Sequence, residues 1–273
     1  MAGHEAPHWK IEDLEFSRIA RDEVRRDENL FYLVASASFI ESGSDLYTQN
    51  LVDFFRGDNE VTDWLTHHWE AEELQHGKAL RAYVAHVWPE FDWEAAYRGF
   101  LEEYATYCKV ELLAPTRGLE MTARCVVETG TATYYRAMAR STDEPVLRDL
   151  ASRIAADEVS HYKHFYRFFR RYRDEERLSR FRVLGTIGRR TLELKSEDAD
   201  CAIRHVVRTR SPERAGDTAF VQQLSARLNS TVRTNLSAGA TLKMLMRPLE
   251  LPAGVQTMIQ YPIRQFMEHV FLR

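Results

Sequence analysis

Two stretches of this chain place a histidine three residues after a glutamate: Glu73 precedes His76, and Glu158 precedes His161. Residues three apart lie on the same face of an α-helix, so each stretch can direct one carboxylate and one imidazole to the same metal ion. Ligands from separate stretches reach common ions only if several helices pack side by side around them. The motifs therefore predict a helix bundle with metals in its interior.

The Glu-x-x-His pattern by itself is weak evidence, because the chain has ten histidines and many glutamates. A third match runs from Glu5 to His8. This match contains a proline, belongs to no periodic apolar pattern and has no matching partner. We attribute it to chance.

A partner glutamate distinguishes the other two matches. Glu41 lies about thirty residues before Glu73, and Glu128 lies about thirty residues before Glu158. The chain thus repeats a pair of helices, in which a lone glutamate is followed by a Glu-x-x-His motif. Four carboxylates and two imidazoles are the ligands that a pair of iron or manganese ions takes inside a helix bundle.

The positions of the six residues also assign them to ions. The motif glutamates lie one helical turn from the histidines and are expected to bridge the two ions, whereas the other ligands each serve one ion. The predicted ligands are Glu41 and His76 at one ion, Glu128 and His161 at the other, and Glu73 and Glu158 as bridges.

The acids just before the bridging glutamates are Glu72 and Asp157. They point about 100° away from the ligands around the helix axis, which suits a supporting role. We expect Asp157 to accept a hydrogen bond from His76, and Glu72 to accept one from His161. The alternative is that both acids form surface ion pairs.

Thr131 lies three residues after Glu128, on the same helical face. Its hydroxyl is a candidate for relaying a proton to reduced oxygen, although a lone helical threonine commonly hydrogen-bonds to a helix carbonyl instead. Gly43 and Gly130 are expected inside helices near ligands, where they leave room for a ligand or a close backbone. Six residues on the ligand faces line an apolar cavity or belong to the plain core: Ala37, Met121, Ala132, Tyr135, Ile154 and Phe165.

Helical periodicity runs through nearly the whole sequence, and glycine and proline are sparse. We therefore predict an all-α protein, with a single domain over residues 1–273, a core bundle over about 12–172 and a helical extension over about 175–273. A separate C-terminal domain is the alternative. The predicted helical segments are 12–56 as one or two helices, 62–87, 93–113, 115–140 and 144–172, followed by shorter helices that end with 256–271.

The formal net charge of −4 is close to balanced, so it argues neither for nucleic acid nor for a membrane surface, and we expect no nucleic-acid partner and no membrane insertion. The most apolar run, 30–40, is too short for a membrane span, and no signal peptide is recognisable, so a cytoplasmic protein is expected. Cys108, Cys125 and Cys201 are odd in number and widely spaced. They are expected to be free, buried thiols.

The composite motifs resemble those of the soluble acyl-carrier-protein desaturases. Residues 69–77 are similar to that family's W-x-A-E-E-x-x-H-G segment, and residues 154–161 to its I-A-A-D-E-x-x-H segment. Glu128 with Thr131 resembles its E-x-x-T pair, and Glu41 with Tyr47 resembles its first-ligand helix. The resemblance covers about residues 30 to 170, in order and spacing.

This resemblance implies a ferritin-like diiron four-helix bundle with the six ligands given above, and Thr131 assisting oxygen activation. It implies two Fe ions (or Mn), O2 as co-substrate, a ferredoxin-type electron donor and a homodimer. The substrate would be an acyl chain on acyl carrier protein or another thioester. The alternatives are a diiron hydroxylase of specialised metabolism, an iron-storing ferritin relative and a structural bundle without metal. The superfamily's N-oxygenases carry an extra histidine ligand where this chain has Ile154, which argues against that activity here.

The segment after Asp174 is rich in arginine. Complementary charge would let such a cluster dock an acidic carrier protein, although a solvated helix surface explains it equally simply. The arginines are Arg177, Arg180, Arg182, Arg189, Arg190, Arg204, Arg208 and Arg210.

Overall fold

A computed structural model describes residues 9–193, 197–252 and 254. These residues form helices, turns and loops and include no strand, which confirms the predicted all-α class. No helix in this part of the chain has the length and apolar character needed to cross a membrane. The helices are α1 Arg21–Val24, α2 Glu28–Ser42, α3 Ser44–Phe54, α4 Asn59–Trp64, α5 Glu70–Val87, α6 Trp93–Tyr104, α7 Arg117–Ser141, α8 Pro145–Glu176, α9 Arg180–Glu193, α10 Glu197–Arg210, α11 Thr218–Thr234 and α12 Ala238–Met246.

Aspartates cap four of these helices at their N-termini, including Asp217, which accepts from the Phe220 amide at the start of α11. The side chain of Asp27 accepts a hydrogen bond from the Leu30 amide at the start of α2, and Asp92 does the same for Ala95 at the start of α6, both at 3.0 Å. Asp58 caps α4 in the same way. A side-chain oxygen at this position satisfies a backbone donor that has no partner inside the helix.

Three predicted segments differ from the structure. The segment 12–56, predicted as one or two helices, contains the three helices α1, α2 and α3 after 3-10 turns at Ile11–Asp13 and Phe16–Arg18. The segment predicted as one helix over 62–87 has a π-helical turn at Leu65–Trp69 between α4 and α5. The segment predicted over 93–113 ends as an α-helix at Tyr104, and only a 3-10 turn follows, at Val110–Leu112. The hydroxyl of Thr106 hydrogen-bonds to the Glu103 carbonyl at 2.7 Å in the turn that follows α6.

The chain forms two compact units. The first unit contains described residues 9–112, 142–150 and 197–230. In it α2 packs along α5, and α10 packs on both α2 and α6. Buried aromatic rings fill this unit; for example, Phe31 meets Trp88 edge to face with centroids 5.1 Å apart.

The second unit contains described residues 113–141, 151–193 and 231–252 with 254. In it α9 and α12 pack on α7, and the Tyr162 hydroxyl of α8 donates to the Met244 carbonyl of α12 at 2.7 Å. The predicted shorter helices after residue 174 are present, and several of them pack on the ligand-bearing helices of their own unit. The predicted helix over 256–271 lies outside the described residues, as do Glu5 and His8. The single domain over 1–273 stays a prediction.

Candidate metal centre

Three predicted ligands meet in the first unit. Glu41 lies near the end of α2, and Glu73 and His76 lie one turn apart on α5. Their candidate ligand atoms all lie within 4.8 Å of one another, and all three side chains are buried. His76 Nδ1 is 3.8 Å from Glu41 Oε2. We call these residues the first triad.

A close helix contact positions the first triad. Gly77 follows His76 on α5 and lies against Ser42, which follows Glu41 on α2: a Cβ at position 77 would lie only 2.7 Å from the Ser42 backbone nitrogen. The Tyr97 hydroxyl also donates to the Ser42 carbonyl at 2.6 Å. The absence of a side chain at position 77 thus lets α2 and α5 approach where the ligands project.

The N-terminal segment covers the first triad on one side. The buried Trp9 ring lies parallel to the His76 ring, with an interplanar angle of 3° and centroids 6.2 Å apart. The Gln75 side chain donates a hydrogen bond to the Trp9 carbonyl at 3.0 Å. Trp9 therefore shields His76, a predicted ligand, from solvent, a role that sequence spacing did not indicate.

The other three predicted ligands meet in the second unit and form the second triad. Glu128 lies on α7, and Glu158 and His161 lie one turn apart on α8. Their candidate ligand atoms also lie within 4.8 Å of one another, and each residue is 1% exposed. His161 Nδ1 is 3.5 Å from Glu128 Oε2 and 3.8 Å from Glu158 Oε2.

The Thr131 hydroxyl belongs to this second triad. Its Oγ1 lies 2.6 Å from Glu158 Oε2 and 3.3 Å from the carbonyls of Val127 and Glu128. A hydroxyl has one proton, and a short contact with a carboxylate is the stronger bond. Thr131 thus orients a ligand carboxylate in addition to lying close to the helix carbonyls. Its catalytic role stays a prediction.

The electrostatics of the second triad favour a cation. Burial raises the pKa of Glu128 well above its usual value; the His161 imidazole opposes this effect and the nearby Glu158 carboxylate adds to it. Two carboxylates in a buried site cannot both stay charged unless a proton or a cation compensates them. A divalent cation provides that compensation.

The distances within each triad fit metal coordination. The imidazole–carboxylate separations of 3.5 and 3.8 Å are longer than hydrogen bonds. Two ligand atoms that each lie about 2.1 Å from one ion are roughly 3 to 4 Å apart. Two oxygen donors and one imidazole suit a first-row divalent metal such as iron or manganese. Each triad therefore fits one such ion.

For the remaining predicted residues, the structure gives their burial. Asp157 is buried and Glu72 is half-buried, and their expected partners, His76 and His161, belong to the other unit in each case, so both hydrogen bonds stay predictions. The six apolar residues on the ligand faces are all at most 4% exposed, and whether they line a cavity stays a prediction. They are Ala37, Met121, Ala132, Tyr135, Ile154 and Phe165.

The prediction that Gly43 lies inside a helix is wrong. Gly43 separates α2 from α3, and a Cβ there would make ordinary contacts of 3.5 Å with Phe39 and Tyr104. The glycine that permits a close approach is Gly77. All three cysteines are free; Cys125 and Cys201 are buried as predicted, whereas Cys108 is half-buried.

Comparison with known proteins adds no assignment: no family model and no curated protein matches this sequence. A function for this chain therefore has to be inferred from its own residues. What they present is a buried carboxylate–carboxylate–imidazole triad in each of the two units.

Proposed function

We propose that this protein is a diiron oxidase, in which the six predicted ligands hold two iron ions and O2 is used to remove hydrogens from an acyl chain. The observation that carries the proposal is the chemical equivalence of the triads. Each has two glutamates and one histidine, and in each one glutamate comes from the earlier helix and a Glu-x-x-His pair from the later one.

Charge balance supports two ions. The four glutamates carry four negative charges when ionised and are all at least nine-tenths buried. Burying unpaired carboxylates is costly, and two divalent cations would neutralise four of them. A single ion would leave part of this charge uncompensated.

The residues of this chain would hold and orient the reacting groups. Iron in a carboxylate-rich site supplies the capacity to bind and reduce O2. Thr131 fixes the orientation of Glu158, and Trp9 keeps solvent from His76. The acyl substrate, the carrier protein, the ferredoxin-type donor and the homodimer derive from the sequence resemblance alone.

An anaerobic titration with Fe²⁺ tests the metal assignment. We expect two ions per chain, and we expect Glu73→Ala to reduce the iron content toward zero because a bridging ligand serves both ions. Glu175→Ala changes an exposed glutamate on α8 and should retain two. If Glu73→Ala retained one ion, the assignment of Glu73 as a ligand of both ions would be wrong.

Product analysis with isotopically labelled O2 tests the reaction. Desaturation gives an alkene that contains no label, with both hydrogens lost to reduced oxygen. Incorporation of the label into the product would instead show hydroxylation by the same metal centre. If the iron-loaded protein consumed no O2 in the presence of an electron donor and acyl thioesters, the proposed oxidase activity would be excluded.

A further inference from the structure

A second cluster of metal-binding side chains lies in the first unit, where α6 meets α10. It contains Glu103 from α6 and Cys201 and His205 from α10. One candidate ligand atom from each residue lies within 4.8 Å of the other two. His205 Nε2 is 2.9 Å from Glu103 Oε2. None of these residues belongs to the two triads.

The spacing on α10 directs two ligands to one side. Cys201 and His205 are four residues apart and share a helical face, and Asp198 lies one turn earlier on that face. Cys201 is fully buried and His205 is 6% exposed, whereas Glu103 reaches toward solvent. The cluster therefore joins a buried thiol and imidazole to a carboxylate at the protein surface.

The orientation of the His205 ring is fixed by the neighbouring helix. A Cβ at position 99 would lie 2.9 Å from His205 Nδ1, so the absence of a side chain at Gly99 makes room for the ring. This contact leaves Nε2 as the nitrogen that faces Glu103. The ring is thus held with one nitrogen directed into the cluster.

We propose that Glu103, Cys201 and His205 bind a Zn²⁺ ion at the contact of α6 and α10. The thiol makes this donor set softer than either triad, because sulfur and imidazole ligands favour zinc, whereas carboxylate-rich sets also suit iron and manganese. On binding, the Cys201 sulfur loses its proton to solvent and bonds to zinc. His205 Nε2 bonds to zinc without a proton, so the proton of its hydrogen bond to Glu103 passes to solvent while Nδ1 takes one up from solvent.

The charges around the cluster are consistent with Cys201 exchanging its proton for a cation. Burial raises the pKa of the Cys201 thiol to about 12, and Glu103 and Asp198 raise it further while Arg204 lowers it. Burial alone would also raise the pKa of Glu103, but hydrogen bonds from His205, Arg204 and Tyr107 lower it to about 2. Without a cation the thiol is therefore protonated and the carboxylate charged.

The competing explanation is a hydrogen-bond network that only ties α6 to α10. Arg204, Tyr107 and His205 all hydrogen-bond to the Glu103 carboxylate, which supports that explanation. Such a network can include the Cys201 thiol as a donor to Glu103, and it binds no metal. The two explanations differ in whether the Cys201 sulfur binds a metal ion.

Cobalt is the appropriate probe, because Co²⁺ occupies zinc sites and a bound thiolate adds an intense near-ultraviolet charge-transfer band. The protein is stripped of metal with a chelator and reloaded with Co²⁺ without oxygen. The six triad ligands contain no sulfur, so the band reports this site even if the diiron proposal fails. We expect the band in the native chain and its disappearance on adding one equivalent of Zn²⁺.

The variants assign the band to this cluster. Cys201→Ser should abolish it, and Glu103→Gln, which changes a partly exposed residue, should weaken cobalt and zinc binding while circular dichroism stays native. Cys108→Ser and Cys125→Ser should retain the band. The proposal is overturned if the native chain shows no band, if Cys201→Ser keeps it, or if Glu103→Gln binds zinc as tightly as the native chain.

Discussion

At the scale of single residues, the Thr131 hydroxyl connects the helix backbone to a candidate ligand. We expect Thr131→Val to lower the rate of O2 consumption, or the iron affinity, by about 10- to 100-fold, because it removes the hydrogen bond to Glu158. Thr131→Ser keeps the hydroxyl and should restore most of the loss. Rates measured at saturating iron separate the two effects. Equal rates in Thr131→Val and the native chain would show that the hydroxyl only bonds to the helix.

Trp9 is the second residue whose role can be tested directly. Truncation to alanine leaves a cavity beside His76, so Trp9→Ala should reduce the free energy of unfolding by about 3 to 5 kcal/mol in urea titrations and weaken metal binding. Phe16→Ala, a half-buried aromatic in the same segment, should cost less. If Trp9→Ala matched Phe16→Ala in both measurements, the covering role of Trp9 would be refuted.

The residues predicted from the sequence and those found only in the structure differ in how far along the chain their contact partners lie. Glu73 and His76 are three apart on one helix, so their common face follows from helix geometry alone. Trp9, Gly77 and Glu103 act through contacts with segments far away in the chain. Such contacts follow from tertiary packing, and no local spacing in the sequence encodes them.

At the scale of secondary-structure elements, the approach of α2 to α5 depends on Gly77. A Cβ there would lie within 3 Å of the Ser42 backbone, so Gly77→Ala should force the helices apart and cost about 1 to 3 kcal/mol. The displacement should also weaken metal binding by Glu41 and His76. Denaturant unfolding and iron titration measure both effects.

Gly185→Ala in α9 is the matched control for that experiment. Among the described residues, no atom outside the neighbouring backbone of the same helix lies within 4 Å of a Cβ built at position 185, and alanine favours a helix over glycine by about 1 kcal/mol. The control should therefore be neutral or stabilising. If Gly77→Ala were equally benign, the close contact would not be needed to position the first triad.

The accuracy of the predicted helix bounds differs from one helix to another. Strong periodicity and proline predicted α7 and α8 to within a few residues of Arg117–Ser141 and Pro145–Glu176. The π turn at Leu65–Trp69 was missed, because one extra residue in a turn changes the backbone and leaves the apolar pattern almost intact. The end of α6 was missed because no glycine or proline follows Tyr104 to mark it in the sequence.

At the scale of the whole molecule, metal binding should stabilise the fold, because the triads bind ions only when folded. A free metal concentration 100 times the Kd adds about 2.7 kcal/mol for one site, which corresponds to roughly 5 to 10 °C in Tm for a chain of this size. Thermal unfolding with and without Mn²⁺ measures this shift. The double variant Glu73→Ala/Glu158→Ala should show no shift beyond the small one expected from any other metal site. A full shift in that variant would place the stabilising ion elsewhere.

The interleaving of the two units along the chain has a consequence for biosynthesis. The first unit takes its described residues from three separate stretches, the last of which is 197–230, and the second unit begins at residue 113. A ribosome therefore has to complete most of the second unit's sequence before the first unit has all of its parts. Because of this interleaving, a single cut in the gene yields neither unit whole, and a stop codon before residue 197 would remove α10, which packs on both α2 and α6.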